Sequence, residues 1–283
     1  MYIYTFKDWP NFKWDDKQII HLLSDVRNLQ GRLLGKMDSL GFEFKDEAVL
    51  ETITLDIVKN YEIEGEFINN EEVKSSIARK LGLDFNSKVH PSRYVEGVVE
   101  MMLDASNNYM NALSENRLFG WHAAMFPTGY SGMHKITVGN WRQDEGGPMR
   151  VVSGAMGKEK IHFEAPASKM VSDEMEQFFA WYNSKNEIDA VLKAAIAHLW
   201  FITIHPFDDG NGRITRAITD MQLARSDKSN QRFYSMTARI LIERKGYYQI
   251  LEKTQKGNLD ITEWIIWFLN CLKNAIRSSE TLL

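Results

Sequence analysis

Twelve consecutive residues gather an imidazole, two carboxylates, a turn with two glycines and two guanidinium groups: His205-Pro206-Phe207-Asp208-Asp209-Gly210-Asn211-Gly212-Arg213-Ile214-Thr215-Arg216. A histidine titrating near neutrality suits a general base that takes a proton from a hydroxyl. Gly210-Asn211-Gly212 stand ahead of a helical run carrying Ile214, Ile218, Met221 and Leu223. Glycines there let backbone N–H groups approach an anion closely, and a helix N-terminus adds the positive end of its dipole. Arg213 and Arg216 lie three apart, so both project on one side of the first turn. Two guanidinium forks beside a bare helix start make a polyphosphate site. Asp209, just ahead of the glycines, could hold Mg²⁺ against phosphates as a hard oxygen ligand. Together these parts could grip a nucleoside triphosphate with a metal and deprotonate an attacking hydroxyl.

Each part alone has a plainer explanation, either a hydrogen-bonded structural histidine or a glycine turn joining two helices. Their coincidence is what favours function. His205 is expected at the C-terminus of a helix that Pro206 forces to end. A neighbouring carboxylate would favour its imidazolium form, and a metal at that carboxylate would offset the effect. Phe207 is expected to point inward and Asp208 to face solvent. The other six histidines, His21, His90, His122, His134, His162 and His198, take the structural reading, since none has metal-ligand spacing with another.

Helices must position these residues, because helical periodicity dominates the chain. The apolar spacing predicts helices over 15–40 (capped by Asp15), from about Asp46 to Gly65, and over 70–81, 92–108, 115–125, 168–183, 188–204, 211–225, 234–254 (broken near Gly246) and 260–280. Only 150–152 and 160–163 read as extended, flanking Ser153-Gly154-Ala155-Met156-Gly157 as a hairpin; 127–148 reads as loop. The fold class is therefore mostly α with one hairpin, and a weak boundary falls at 84–91.

Composition excludes more than it selects. The 283 residues are 44% hydrophobic and 25% charged, with a net charge of −4, so no global basic field favours nucleic acid or acidic membranes. The single cysteine, Cys271, rules out an intramolecular disulfide and favours a reducing, cytoplasmic compartment. The start of the chain lacks a signal-peptide pattern, and the most apolar stretch, 264–272, is too short to cross a bilayer.

The segment from His205 to Arg216 matches the signature of Fic-domain proteins, His-x-Phe-x-Asp/Glu-Gly-Asn-Gly-Arg-x-x-Arg, at every fixed position. The resemblance extends over roughly 90–270, through Trp141-Arg142, the hairpin and Tyr247-Tyr248. It implies a Fic-type helical bundle with a hairpin flap, and an enzyme that transfers AMP from ATP to a Ser, Thr or Tyr hydroxyl of a target protein. His205 would then be the base and Asp209 the Mg²⁺ ligand. Gly210, Asn211, Gly212 and Arg213 would hold phosphates, and Arg213 and Arg216 would neutralise the β- and γ-phosphates. A target segment would lie along 150–163 as an added strand, and Tyr247 and Tyr248 would pack against adenine.

Asn60-Tyr61-Glu62-Ile63-Glu64-Gly65 resembles the inhibitory motif of many Fic proteins, Ser/Thr-x-x-x-Glu-Gly/Asn, with Asn60 in place of the hydroxyl residue. In the family that glutamate pairs with the second motif arginine, here Arg216, which implies autoinhibition by Glu64. A solvated helix end is the simpler reading of Glu62, Glu64 and Glu66. The N-terminal stretch with Trp9-Pro10, Trp14-Asp15 and Gln30-Gly31-Arg32 resembles a module of unknown function found ahead of some bacterial Fic domains. The expected division is 1–85, a helical module carrying the motif at 60–65, and 86–283, the Fic domain. Two rival functions stand beside adenylyl transfer. One is removal of AMP with Glu64 orienting a water, and the other is nucleotide sensing with little catalysis. Neither nucleic acid nor membrane is expected as a partner, and a homo-oligomer stays open.

Overall fold

The structure is a computed structural model that describes residues 1–283 except 40, 84, 86, 87, 145, 155–157 and 281–283, and omits the side chains of 42 and 43. Among the described residues it has eleven α-helices. In chain order they are α1 (Asp16–Asp38), α2 (Phe42–Glu64), α3 (Asn70–Leu81), α4 (Arg93–Asn107), α5 (Glu115–Met125), α6 (Ser168–Asn183), α7 (Ala190–Ile204), α8 (Asn211–Asp227), α9 (Met236–Ile242), α10 (Arg244–Gln255) and α11 (Thr262–Glu280). Two short antiparallel ladders stand between α5 and α6. They are β1 (Tyr130–Ser131) with β2 (His134–Lys135), and β3 (Arg150–Ser153) with β4 (Lys160–Glu164). No described helix is long and apolar enough to cross a membrane.

The helix pair α7–α8 is the centre of the molecule. Every residue of α7 from Val191 to Ile204 is buried, as expected of a helix apolar on all sides. It packs against α6, α8 and α11, while α8 packs in turn against α2, α4 and α5. The loop joining α7 to α8 therefore emerges from the most constrained part of the core. The N-terminal helices close on the C-terminal ones, α1 along α11 and α2 along α9, and one hydrophobic cluster runs from Ile3 to Ile276. Helix α2 is pinned further by Asp56, whose Oδ1 accepts the Ser235 hydroxyl at 2.5 Å. Burial, with the charge of Asp220 added, pushes the Asp56 carboxyl up.

Helix ends follow local chemistry. Asp15 accepts the Lys17 N–H at the start of α1, and Gly65 and Gly82 close α2 and α3 in the left-handed region. Three expectations need correcting. Helix α2 opens at Phe42, with Gly41 as its N-cap, rather than near Asp46; an acidic residue favours the early turns of a helix generally and does not single out the cap. The break in 234–254 falls at Glu243 and leaves Gly246 inside α10. Both helices lie against α11, and what separates them is their other neighbour, α2 for α9 and β4 for α10. The stretch 127–148 contains the β1–β2 ladder, whose strands of two residues are too short for any periodicity to reveal. Of the expected hairpin tip, residues 155–157 lie outside the described residues, as do 84, 86 and 87 of the expected boundary.

Candidate active site

Pro206 has no N–H to continue α7, and His205 ends the helix with φ 53° and ψ 58°. A non-glycine residue in this region carries about 1 kcal/mol or more of strain and needs outside support. Arg142, only 1% exposed, supplies it. Its Nε donates to the His205 carbonyl at 2.7 Å, its backbone N–H to the Pro206 carbonyl at 2.9 Å, and its Nη1 to Asp144 at 2.9 Å; Nη2 reaches the Pro166 carbonyl. His205 Nδ1 lies 3.1 Å from the Ile202 carbonyl. A carbonyl only accepts, so Nδ1 carries the proton and Nε2 is left as a lone-pair acceptor. Burial pulls the His205 pKa down to about 4, helped by the Arg142 charge and outweighing Glu64 and Asp209, which pull it up. The expectation that nearby carboxylates favour imidazolium is thus reversed: desolvation wins and the ring is neutral at pH 7.

Helix α8 begins at Asn211 behind Gly210, which adopts φ 81° and offers no side-chain cap. Both ends of the Asn211 amide are used on one neighbour: Oδ1 accepts the Phe207 N–H at 2.9 Å, and Nδ2 donates to the Phe207 carbonyl at 2.7 Å. Asn211 therefore has its backbone N–H, not its side chain, to offer an anion. A Cβ on Gly212 would overlap Glu64 Oε1 and come within 3.3 Å of Arg216 Nη1, so the missing side chain leaves room for an oxyanion over the helix start. Asp209 is held from three sides. Its Oδ1 accepts the Gly210 N–H at 2.5 Å, its Oδ2 accepts the Ser131 hydroxyl, and its carbonyl lies 3.2 Å from His122 Nε2. His122 accepts the Gly139 N–H through Nδ1 at 3.1 Å and stacks on Phe207 at 4.3 Å. Burial holds its pKa near 4.

The two motif arginines are each 2% exposed, and both turn toward the end of α2. Arg216 donates from Nε to Asn60 Oδ1 at 2.6 Å and from Nη2 to Glu64 Oε1 at 2.6 Å. Arg213 donates to Glu66 Oε2 at 3.0 Å and to Asp209 Oδ1 at 3.4 Å, and its guanidinium lies over the rings of Tyr61 and Phe126. Burial opposes the Arg213 charge, but Tyr61, Glu66 and Asp209 more than restore it, and its pKa is raised. The three glutamates thus separate. Glu62 pairs with Lys59 on the surface at 2.8 Å, while Glu64 and Glu66 each face a buried arginine.

All of this opens onto a cavity of about 820 Å³, within the range of sites for small organic ligands. His205, Asp209–Arg213, Arg216 and Glu64 form one wall, residues 149–153 with His162 and Phe163 form the flap, and α10 closes the side with Tyr247 and Tyr248. Tyr247 is buried, with its hydroxyl 2.8 Å from His198 Nε2, whereas Tyr248 lines the cavity 38% exposed, with the Arg244 guanidinium 5.7 Å from its ring. His162 links the flap to α10, bridging Ser153 and Glu252 at 2.6 Å each. Among the described residues no three His, Cys, Asp or Glu side chains converge as a metal cage. A lone Asp209 beside a phosphate cradle still fits Mg²⁺, which keeps most of its shell as water and phosphate oxygen.

Every candidate singled out by sequence, from Asn60 and Glu64 through His205, Asp209–Arg213 and Arg216 to Tyr247 and Tyr248, falls in or directly against this cavity. Phe207 is fully buried, as expected. Asp208 is a correction: it does not simply face solvent but is half-buried, and its Oδ2 accepts the Thr137 N–H at 2.7 Å, which ties the motif loop to the segment after β2. Sequence reasoning gave no role in the site to Ser131, read His122 only as structural and Glu66 as a solvated helix end, and named Arg142 only within the family resemblance. Their contacts with the site are not legible locally, because each acts across 63 or more positions of chain.

Comparisons with known proteins agree with this architecture. Residues 2–83 match a domain of unknown function, DUF4172, and residues 112–223 match the Fic/DOC family. The protein adenylyltransferase Fic of Aedes aegypti is 26% identical over 216 residues, 76% of this chain and 39% of its own length. A probable protein adenylyltransferase of Aquifex aeolicus is 30% identical over 125 residues, 41% of this chain and 39% of its own. The chain thus spans less than half the length of these curated relatives. In fold it resembles a Fic family protein from Desulfovibrio desulfuricans G20, with a TM-score of 0.67, 20% identity, and 94% and 74% of the two chains covered. The motif loop on α7–α8 lies in the stretch that matches the Fic/DOC family and helices α1–α3 in the stretch that matches DUF4172, so the chain carries a Fic/DOC-family domain behind an N-terminal DUF4172 domain.

Proposed function

We propose that this chain is a protein adenylyltransferase that moves AMP from ATP to a hydroxyl of a target protein, and that Glu64 holds it in check. The observation that carries this reading is the Glu64–Arg216 contact at 2.6 Å, placed over the open face of Gly212. A carboxylate bound at a phosphate cradle both marks the cradle and blocks it.

In the reaction, the acceptor hydroxyl oxygen attacks the α-phosphorus, the bond to the β-phosphate oxygen breaks, and pyrophosphate leaves. The hydroxyl proton passes to His205 Nε2, the ring nitrogen that the Ile202 carbonyl leaves unprotonated. The N–H groups at the start of α8 and the guanidinium groups of Arg213 and Arg216 take up charge on the departing phosphates. Mg²⁺ held by Asp209 would neutralise phosphate charge and fix its geometry. An extended target segment pairing with the β3–β4 flap would bring its hydroxyl to the cavity mouth, and Tyr248 offers the ring against which adenine could stack.

Labelled ATP with Mg²⁺ tests the proposal. Glu64→Gly should raise AMP transfer, to the chain itself or to a lysate protein, and His205→Ala in that background should lower it by about 10²- to 10⁴-fold. Labelling indifferent to both changes would refute it. One observation favours the reverse reaction as a second reading: Glu64 Oε2 has no protein donor among the described residues and could orient a water. Release of AMP from a modified target, lost in Glu64→Gly, would select that reading.

A further inference from the structure

We propose that Glu66 is a second inhibitory carboxylate, withholding Arg213 from the nucleotide phosphates as Glu64 withholds Arg216. This rests on the reading of both arginines as phosphate-binding groups and extends it to a residue outside the inhibitory motif.

The geometry starts at the end of α2. Gly65 takes φ 79°, and the Glu66 N–H turns back to the Tyr61 carbonyl at 3.0 Å, so the backbone carrying Glu66 is pinned to the helix it leaves. On a continuing helix, residues two apart face away from each other. The left-handed turn at Gly65 instead brings Glu64 and Glu66 to the same neighbour, the first turn of α8, where the two arginines stand three apart. Glu66 is then clamped from both sides. Its Oε2 accepts from Arg213 Nη1 at 3.0 Å and from the Tyr94 hydroxyl of α4 at 3.2 Å. Burial raises the pKa of that tyrosine, so its hydroxyl stays a neutral donor.

Arg213 cannot easily look elsewhere. It lies between the rings of Tyr61 and Phe126, and its Nε is buried without a hydrogen-bond partner among the described residues. An anion entering the cavity must displace Glu66 from this guanidinium or share it. The two pairs differ in one useful respect, since the Glu66 side chain is 43% exposed and that of Glu64 30%. The more exposed pair is more screened by solvent and exchanges more readily for phosphate. Removing Glu64 alone therefore frees one arginine and leaves the other engaged, and the Glu64→Gly chain is incompletely released.

Calorimetric binding of inorganic pyrophosphate to the full chain is the test, read on wild type, Glu66→Gln, Glu64→Gly and the double variant. Glu66→Gln should tighten pyrophosphate roughly fivefold in either background, the scale of a half-exposed ion pair at a buried arginine. Tyr94→Phe, which removes no charge, should shift affinity the same way by about twofold and guards against loss of folding in the first variant. AMP transfer at subsaturating ATP should rise further in the double variant than in Glu64→Gly. Pyrophosphate affinity unchanged or weakened in Glu66→Gln and Tyr94→Phe would overturn the second lock, even if Glu64→Gly transfers AMP. Tightened pyrophosphate with no transfer by any variant would leave the lock standing and remove the adenylyltransferase reading instead.

Discussion

The start of α8 and the end of α2 meet at two arginines and are built in opposite ways. At α8, Asn211, Arg213, Thr215 and Arg216 are buried, and the loop before them is stitched by bonds to its own residues and to Arg142. At α2, the helix has already ended in a left-handed glycine, and the two carboxylates that reach the arginines stay 30% and 43% exposed. On the proposed function, the groups that would meet phosphate are held in place before it arrives, which is what electrostatic stabilisation of a transfer step demands. The groups occupying their place sit where solvent and a competing anion can reach them. On that reading rigidity would belong to the chemistry, and exchangeability to its control.

That contrast can be broken most forcefully from the rigid side. Asn211→Ala strands the Phe207 N–H and carbonyl inside the protein and should cost roughly 2–4 kcal/mol in urea unfolding. A cost below about 0.5 kcal/mol would mean the loop does not depend on this brace. The opposite side should be far more tolerant. Glu64→Gly removes a partly exposed carboxylate whose partner Arg216 keeps Asn60, so stability should change by about 1 kcal/mol or less while activity rises. A loss several times larger would make Glu64 a structural residue first. The smallest effect expected is on pH dependence. A histidine with its pKa lowered to about 4 is neutral, and so competent as a base, above that value and is lost only as pH falls through it. Transfer by Glu64→Gly should therefore change less than twofold between pH 8 and roughly pH 5 from this group, by the ordinary titration relation. Because the Glu64 charge raises the His205 pKa, its removal moves the acid limb lower still. A limb near pH 6.5 in the pH–rate profile would show a solvated imidazole and a looser loop.

The flap adds a third kind of construction. Val152 and Ile161 are 48% and 41% exposed on opposite strands, and His162 reaches across to Glu252 on α10. On the proposed function, an accessible ladder of mixed character on the cavity that His205 lines would suit an added strand of variable sequence better than a fixed ligand.

Much of this was legible in the sequence because it is local. Helix periodicity, the stop at Pro206, the glycines before α8 and the spacing of Arg213 from Arg216 depend on neighbours within a turn or two, and the helices they imply are present. Where local signals conflict, they misled. An acidic residue inside α2 and a glycine inside α10 marked boundaries that the structure has elsewhere. The protonation of His205 was misjudged for the same reason, since nearby carboxylates are visible in sequence and burial is not.

By itself, then, the sequence determined the reactive inventory, the helices that carry it and the pairing of Glu64 with a motif arginine as an expectation. Tertiary structure alone decided that Glu64 and Glu66 reach different arginines across 152 and 147 positions, that Arg142 holds the strained His205 from 63 positions away, and that His122 braces Asp209 from 87. The reason is physical. Helix and turn formation read the nearest few residues, whereas desolvation and ion pairing depend on which surfaces the core brings together.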